Sequence, residues 1–204
     1  MSKKVAITGM GIISSIGNSV EENFNALIQK QTGISKLENF ASKHVDEIKV
    51  GEIKLTNEQL IEQLQLPENN SFTRTALLGA FAAKQAVVNA GITDINAFKT
   101  GLISSTSVGG MDITEKYFYQ YLTDDSLSKY IHSHDAGDSS NKIADYIGLK
   151  GFVSTISTAC SSAANAVMLG ARLINSGKLD RVIVGGTDAY RGKPILELFA
   201  TGAH

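Results

Sequence analysis

The chain has 204 residues, of which 43% are hydrophobic and 19% are charged, a composition typical of a folded protein with one substantial core. The formal net charge of −1 gives no indication of binding to nucleic acid or to an anionic membrane surface. The single cysteine excludes an internal disulfide bond and a multi-cysteine metal site, and it fits a reducing compartment, so we expect a cytoplasmic protein. No apolar run approaches the roughly 18 residues of a membrane span, so no membrane partner is expected.

The first part of the sequence predicts a strand followed by a helix. An apolar run at residues 5–8, stopped by Gly9 and Gly11, predicts a buried strand that leads into a tight turn. Ser19 then precedes two glutamates and is expected to cap a helix. Apolar residues recur at helical spacing in this helix and predict a buried stripe, formed by Val20, Phe24, Leu27 and Ile28.

The rest of the sequence alternates between helical and strand patterns. The predicted elements are a strand at 48–53, helices at 57–66 and 71–89, a buried strand at 101–105, helices at 111–122 and 138–147, a strand at 152–157, a helix at 161–176 and a strand at 182–184. Such alternation predicts an α/β fold with a sheet that is at least partly parallel.

The only cysteine, Cys160, stands between the strand predicted at 152–157 and the helix predicted at 161–176. Unpaired backbone N–H groups at a helix start favour a thiolate, so this position makes Cys160 a candidate nucleophile. The helix is apolar nearly all round, which predicts that it is buried and central. The alternative interpretation is that Cys160 is an inert core thiol, which acts as a small hydrophobic residue.

Two further motifs have weaker chemical readings. The sequence Gly-Met-Gly-Ile-Ile-Ser at 9–14 follows a strand-like run, but Ser14 replaces the last glycine of a dinucleotide-binding turn, so a structural turn is the preferred interpretation. The stretch 132–138 contains four side chains that could bind metal, His132, His134, Asp135 and Asp138. Histidines two apart cannot share a helical face, which favours a solvated loop, and neither a cofactor nor a metal is expected.

Short motifs along the chain occur in an order and at a spacing shared with one known family. They are the opening run at 5–11, Thr-Ser-Val-Gly-Gly at 106–110, Gly-Leu-Lys-Gly at 148–151, Thr-Ala-Cys-Ser-Ser at 158–162 and Val-Ile-Val-Gly-Gly-Thr-Asp at 182–188. In these motifs the chain resembles the β-ketoacyl-acyl carrier protein synthases of the thiolase-like superfamily. The resemblance implies the N-terminal half of a thiolase-like layered α/β fold, with a mixed sheet and a buried central helix after the nucleophile.

The same resemblance implies a chemistry. Cys160 would accept an acyl group from an acyl carrier protein or coenzyme A, and Val108 in the 106–110 turn would line the acyl pocket. A decarboxylative Claisen condensation with a malonyl thioester would follow, in fatty acid, polyketide or related synthesis. In the family, two histidines and a lysine from the second half assist that condensation, and this sequence does not contain that half.

The resemblance also bears on domains and on partners. It covers residues 1–189 as a ketosynthase N-terminal domain, whereas residues 190–204 form a tail that does not resemble the family pattern. It implies a homodimer, and a half-fold that exposes its inner faces is expected to recruit a partner or to aggregate. Two alternatives are a non-catalytic ketosynthase-like partner subunit of the chain-length-factor type, which usually lacks the thiol, and a Rossmann-type dinucleotide-binding domain.

Overall fold

The computed structural model describes residues 4–39 and 45–189. Its α-helices are α1 (Val20–Ile28), α2 (Asn57–Leu64), α3 (Arg74–Asn89), α4 (Met111–Tyr121), α5 (Ser128–Ile131), α6 (Ala136–Tyr146) and α7 (Ser162–Asn175). Its strands are β1 (Ile34–Lys36), β2 (Lys49–Gly51), β3 (Thr100–Ser105), β4 (Phe152–Ile156) and β5 (Arg181–Val184). Short 3₁₀ turns occur at Asp125–Leu127, His132–His134 and Ala159–Ser161.

The central feature of the fold is a parallel sheet of three strands in the order β4-β3-β5. Leu102 in the middle strand is paired with Val153 of β4 and with Ile183 of β5. Strands β1 and β2 form a separate antiparallel pair. The α/β class and the at least partly parallel sheet that the alternating pattern predicted are therefore confirmed. The resemblance implied a mixed sheet, whereas the three described strands of this sheet are all parallel.

Helices cover both faces of this sheet. On one face, Leu102 belongs to a core cluster that also contains Leu77 of α3 and Ile143 of α6. On the other face, α7 packs so closely that a Cβ added at Gly170 would meet the side chains of β5. All six residues of β3 are buried, because this strand lies between two neighbours and two helical layers.

Helix α7 is buried only on the face that it turns toward the sheet. Ala166 is fully buried and Gly170 is buried, whereas Val167 is 50% exposed and Met168 is 45% exposed. The all-round burial that the composition of this helix predicted therefore holds only for the sheet-facing side. The described residues supply no second layer to cover the outer side.

Helix α1 begins where the sequence predicted, because the Ser19 hydroxyl accepts a hydrogen bond from the Glu22 backbone N–H at 3.1 Å. The predicted buried stripe is wrong. Three of its members are largely exposed: Phe24 at 60%, Leu27 at 66% and Ile28 at 63%. The buried residues of this helix are Asn23 and Ala26, because the Asn23 amide donates to the carbonyl oxygens of the preceding turn and directs that face inward.

The strand predicted at residues 5–8 is also wrong: the structure assigns no strand there, and Ile7 is 82% exposed. The segment that follows lies along α3 instead of joining a sheet. The backbone N–H of Met10 donates to Asn89 Oδ1 at 3.0 Å, so a helix side chain takes the place of a neighbouring strand.

Gly9 and Gly11 are required by this approach to α3. A Cβ at Gly9 would meet the backbone of Ala86 and Ala90, and one at Gly11 would meet the backbone oxygen of Ala82. The two glycines therefore allow backbone-to-helix contact, a structural use that differs from the predicted tight turn.

The remaining predicted elements are confirmed to within a few residues at their ends, from the strand at 48–53 to the strand at 182–184. Strand β1 and helix α5 were not predicted. The tail at 190–204 lies outside the described residues, so the domain boundary at residue 189 stays a prediction. In the described part of the chain, no helix is both long and apolar enough to cross a membrane.

Candidate functional site

The candidate site lies where the three parallel strands end. Because β3, β4 and β5 run in the same direction, their carboxyl ends meet at one edge of the sheet. The segments that follow them, at 106–110, 157–162 and 185–188, converge there. Crevices at the carboxyl ends of parallel strands are the usual binding sites of α/β folds.

Cys160 lies in the turn that joins β4 to α7. Strand β4 ends at Ile156, a 3₁₀ turn covers Ala159–Ser161, and α7 begins at Ser162. The junction is the one that the sequence predicted. The thiol is free and exposed, which argues against the alternative of an inert core thiol.

Side chains of α7 hold the two residues that precede the cysteine. Ser162 Oγ accepts from the Thr158 backbone N–H at 2.8 Å and donates to the Ala159 carbonyl at 2.7 Å. Asn165 Nδ2 donates to Thr158 Oγ1 at 2.9 Å. Since Ser162 is only 5% exposed, its two bonds are partly shielded from water, and they fix the Cys160 turn on the helix.

The residue before the cysteine has an unusual backbone conformation. Ala159 has a φ of 52°, in the left-handed region that residues other than glycine rarely adopt. Such a conformation costs on the order of 1 kcal/mol. Beyond its own helical turn, we find no acceptor for the Cys160 backbone N–H among the described residues.

The thiol opens into a cavity of about 420 Å³ at this edge of the sheet. Its lining includes Ser105 of β3, Ser107 of the next turn, Ser162 of α7 and residues 186–188. Serine and threonine residues predominate among its polar lining residues, and Asp188 is the acidic one.

The segment after β5 continues along the carboxyl end of β3. The Gly185 N–H donates to the Ile103 carbonyl at 3.2 Å, and the Thr187 N–H donates to the Ser105 carbonyl at 2.9 Å. Asp188 follows directly, and its Oδ1 accepts from Thr106 Oγ1 at 2.6 Å. The end of β5 is thereby joined to the turn that follows β3.

The 106–110 turn passes very close to a neighbouring loop. A Cβ at Gly110 would overlap the Ser133 carbonyl and the Thr73 methyl group, and Gly109 has a φ of 57°. Val108, predicted to line an acyl pocket, is half-buried in this turn. It does not line the cavity described above, and the prediction for Val108 stays a prediction.

Two of the four residues considered for metal, both aspartates, have other partners here. Asp135 caps α6 by accepting from the Gly137 N–H at 2.8 Å, and Asp138 pairs with Lys142 at 2.6 Å. His132 and His134 belong to a 3₁₀ turn. Within the described ranges, no three histidine, cysteine or acidic side chains come together in a way that could hold a metal ion.

Sequence reasoning did not single out Ser162 or Asp188, although both belong to quoted motifs. The available signals were a serine at the start of a helix that follows a candidate nucleophile, and an acidic residue after a Gly-Gly turn at a strand end. Neither signal identifies a hydrogen-bond partner. The partner of Asp188 comes from a distant part of the chain, and the partners of Ser162 are brought to it only when the turn has folded.

The family model for the N-terminal domain of β-ketoacyl synthases matches residues 2–203. A relative named 3-oxoacyl-[acyl-carrier-protein] synthase 2, from Vibrio harveyi, is 28% identical over 195 residues, which are 92% of this chain and 46% of the relative. The chain spans about half the length of the curated relatives that it matches.

Solved structures share the fold. The ishigamide ketosynthase/chain length factor superposes with a TM-score of 0.86 at 24% identity, covering 99% of this chain and 51% of that one. A chain in the structure of a type II PKS acyl-carrier protein in complex with its ketosynthase matches with a TM-score of 0.72 at 21% identity. The match covers 100% of this chain and 50% of that one. The thiolase-like fold expected from the sequence is therefore confirmed, and the chain belongs to the β-ketoacyl synthase N-terminal domain family.

Proposed function

We propose that this chain carries the acyl-accepting cysteine of a β-ketoacyl synthase, with Cys160 as the nucleophile. The observation that carries the proposal is the exposed thiol in a turn held by Ser162, at the amino end of α7 and in the lining of the cavity. A thiol that can be reached by a thioester and that borders a cavity has the geometry that acyl transfer needs.

The acyl transfer would proceed as follows. The Cys160 thiolate attacks the carbonyl carbon of an acyl thioester, and a new C–S bond forms while the carbonyl oxygen becomes an oxyanion. The Cys160 backbone N–H donates to that oxygen. The intermediate then expels the donor's sulfur, which takes up a proton as the free thiol, and the acyl group remains on Cys160.

In the whole protein we propose a second stage, decarboxylative Claisen condensation. Loss of CO₂ from a malonyl thioester leaves a carbanion, which attacks the Cys160 thioester carbonyl, forms a C–C bond and breaks the C–S bond, so that the Cys160 thiolate is released. The two histidines and the lysine expected to assist are not in this sequence. Reading the coding sequence past His204 tests this stage, and a frame that supplied none of them would restrict the proposal to acyl transfer.

The proposed donor is an acyl carrier protein. The synthase 2 relative is named for this carrier, and one structural neighbour is a ketosynthase in complex with its acyl-carrier protein. We also propose fatty acid, polyketide or related synthesis as the pathway class, a cytoplasmic location in keeping with a single free cysteine, and a homodimer or heterodimer as the assembly. Val108 is the proposed contact for the acyl chain.

The test is incubation with a hexanoyl-carrier thioester followed by intact mass measurement. Wild-type protein should gain one hexanoyl group, and Cys160→Ala should gain none. Ser176→Ala is the matched control, because its hydroxyl bonds the Leu173 carbonyl at the far end of α7, and it should acylate like wild type. An adduct that persists in Cys160→Ala would remove Cys160 from the role.

A second candidate, a non-catalytic partner subunit of the chain-length-factor type, is kept because one structural neighbour combines a ketosynthase with such a factor. The exposed thiol of Cys160 favours catalysis over this alternative. Absence of any adduct on wild-type protein, together with stable association with a separate ketosynthase, would favour the partner role.

A further inference from the structure

We infer that Asp188 is a positioning residue, whose carboxylate holds the 106–110 turn beside Cys160 and so sets how acyl thioesters reach the thiol. The inference rests on the proposed function and adds a residue to it. It concerns a group outside the Cys160 turn, on the segment that follows β5.

One carboxylate oxygen organises the start of this turn. Asp188 Oδ1 accepts from Thr106 Oγ1 at 2.6 Å, from the Ser107 N–H at 2.8 Å and from the Val108 N–H at 3.3 Å. Thr106 Oγ1 in turn accepts from the Gly109 N–H at 3.0 Å. The hydrogen-bond network therefore reaches four consecutive residues, and its anionic acceptor makes stronger bonds than a neutral one would.

The position of Asp188 is itself fixed by the residue before it. The Thr187 N–H donates to the Ser105 carbonyl at 2.9 Å, and the Thr187 hydroxyl donates to the Thr75 carbonyl at 2.9 Å. Both acceptors belong to buried residues, one in β3 and one in α3. Asp188 is thus attached to the sheet and to a helix, and it can impose a position on the turn.

The turn and the thiol share the same cavity but are held separately. Ser107 and Asp188 line the cavity together with Cys160. The Cys160 turn, however, is fixed by Ser162 and Asn165 of α7, and neither of them bonds to Asp188 among the described residues. Loss of the Asp188 carboxylate should therefore move the cavity wall without moving the thiol.

This separation distinguishes positioning from general damage. A bulky acyl thioester must fit between the turn and the thiol, whereas a small alkylating reagent needs only an exposed sulfur. In Asp188→Ala, acylation of Cys160 should slow by about tenfold to a hundredfold, the range that misplacement of about 1 Å produces. Alkylation by iodoacetamide should stay within about twofold of wild type.

The chain offers a matched control at the opposite edge of the same sheet. Asp180 Oδ2 accepts from the Lys99 N–H at 3.0 Å, so Asp180→Ala also removes a carboxylate that binds a backbone amide, but far from the cavity. Asp180→Ala should leave acylation unchanged. Asp188→Glu keeps the charge on a longer side chain and should recover part of the lost rate, whereas Asp188→Asn should recover less.

The experiment measures four quantities for wild type and these variants: rates of acylation by hexanoyl-carrier and dodecanoyl-carrier thioesters, the iodoacetamide rate, and amide hydrogen exchange of the peptide spanning 104–112. We expect Asp188→Ala to slow acylation, to change the hexanoyl-to-dodecanoyl rate ratio and to speed exchange at 107–108. Unchanged acylation, or acylation and alkylation that fall by the same factor, would overturn the inference.

Failure of the proposed function gives a different pattern. If wild-type protein is not acylated by either thioester, the acyl-transfer proposal and the substrate-access role of Asp188 fall together. Exchange at 107–108 still decides whether Asp188 holds the turn. Equal exchange in wild type, Asp188→Ala and Asp180→Ala would refute the positioning claim on structural grounds alone.

Discussion

The substitution Ser162→Ala tests whether the Cys160 turn is held in the way described. It removes a hydroxyl that accepts from the Thr158 N–H at 2.8 Å and donates to the Ala159 carbonyl at 2.7 Å. Each such bond contributes about 0.5–1.5 kcal/mol, and Ser162 is only 5% exposed, so the free energy of unfolding should fall by about 2 kcal/mol. In a chain of this length, a change of about 2 kcal/mol lowers the Tm by about 4–8 °C.

The assay is thermal and urea unfolding, together with amide exchange at Thr158. Loss of the acceptor on Ser162 should expose the Thr158 N–H to exchange, because its bond to Ser162 Oγ is replaced by water. Ser176→Ala is the control, since it removes one exposed bond of 3.1 Å and should change stability by less than about 0.5 kcal/mol. Equal Tm values for the two variants, with unchanged Thr158 exchange, would refute the reasoning.

Three further predictions concern the sheet and the exposed face of α1. Gly186→Ala should destabilise the fold by more than about 1 kcal/mol, because its Cβ would lie 2.5 Å from a serine hydroxyl of β3. A Cβ at Gly185 would have no neighbouring atom within 4 Å, so Gly185→Ala should be neutral. Urea unfolding of both variants checks this. Ile103→Ala, in the centre of β3 at 0% exposure, should lose about 2–5 kcal/mol in the same assay, and a loss below about 1 kcal/mol would contradict the packing described. Phe24→Ser, at a site 60% exposed, should reduce self-association of this 204-residue chain in sedimentation experiments without lowering its Tm; a drop in Tm would show that the ring is buried in solution.

The elements that the sequence predicted well are those with both a local pattern and local end signals. Helix α3 has helical periodicity, a Thr73 cap that accepts from the Ala76 N–H, and Gly91 at a φ of 65° just after its end. Strand β3 is centred on Leu102 and Ile103, and all six of its residues are buried, as the predicted buried strand required. Local chemistry suffices in these cases, because tertiary packing agrees with it.

The predictions that were wrong concern which surface an apolar pattern faces. Residues 5–8 and the stripe of α1 have the patterns of buried elements, yet Ile7 and Leu27 are largely exposed. A periodic pattern shows that one face is apolar, but it does not identify the layer that covers that face. The described residues supply such a layer for one side of α7 and for β3, and not for these segments.

For the candidate site, the sequence could predict the position of Cys160 but not its surroundings. A strand-to-helix junction is a local feature. The hydrogen bonds between Asp188 and the 106–110 turn join residues about 80 positions apart, as the Thr106 to Asp188 separation of 82 shows. No periodicity or spacing rule relates two such positions, because their proximity depends on the order of strands in the sheet.

The order of the strands explains why three weak motifs lie together at one edge of the sheet. Strand β3 lies between β4 and β5, so only its carboxyl end can contact both the Cys160 turn that follows β4 and the Gly-Gly-Thr-Asp segment that follows β5. The pairing of Leu102 with Ile183 fixes how far that second segment extends along β3. A slip of one residue would shift it by about 3.3 Å and reverse its faces, which would take the Asp188 carboxylate out of reach of Thr106. The register of β5 is therefore as much a determinant of the cavity wall as Asp188 itself.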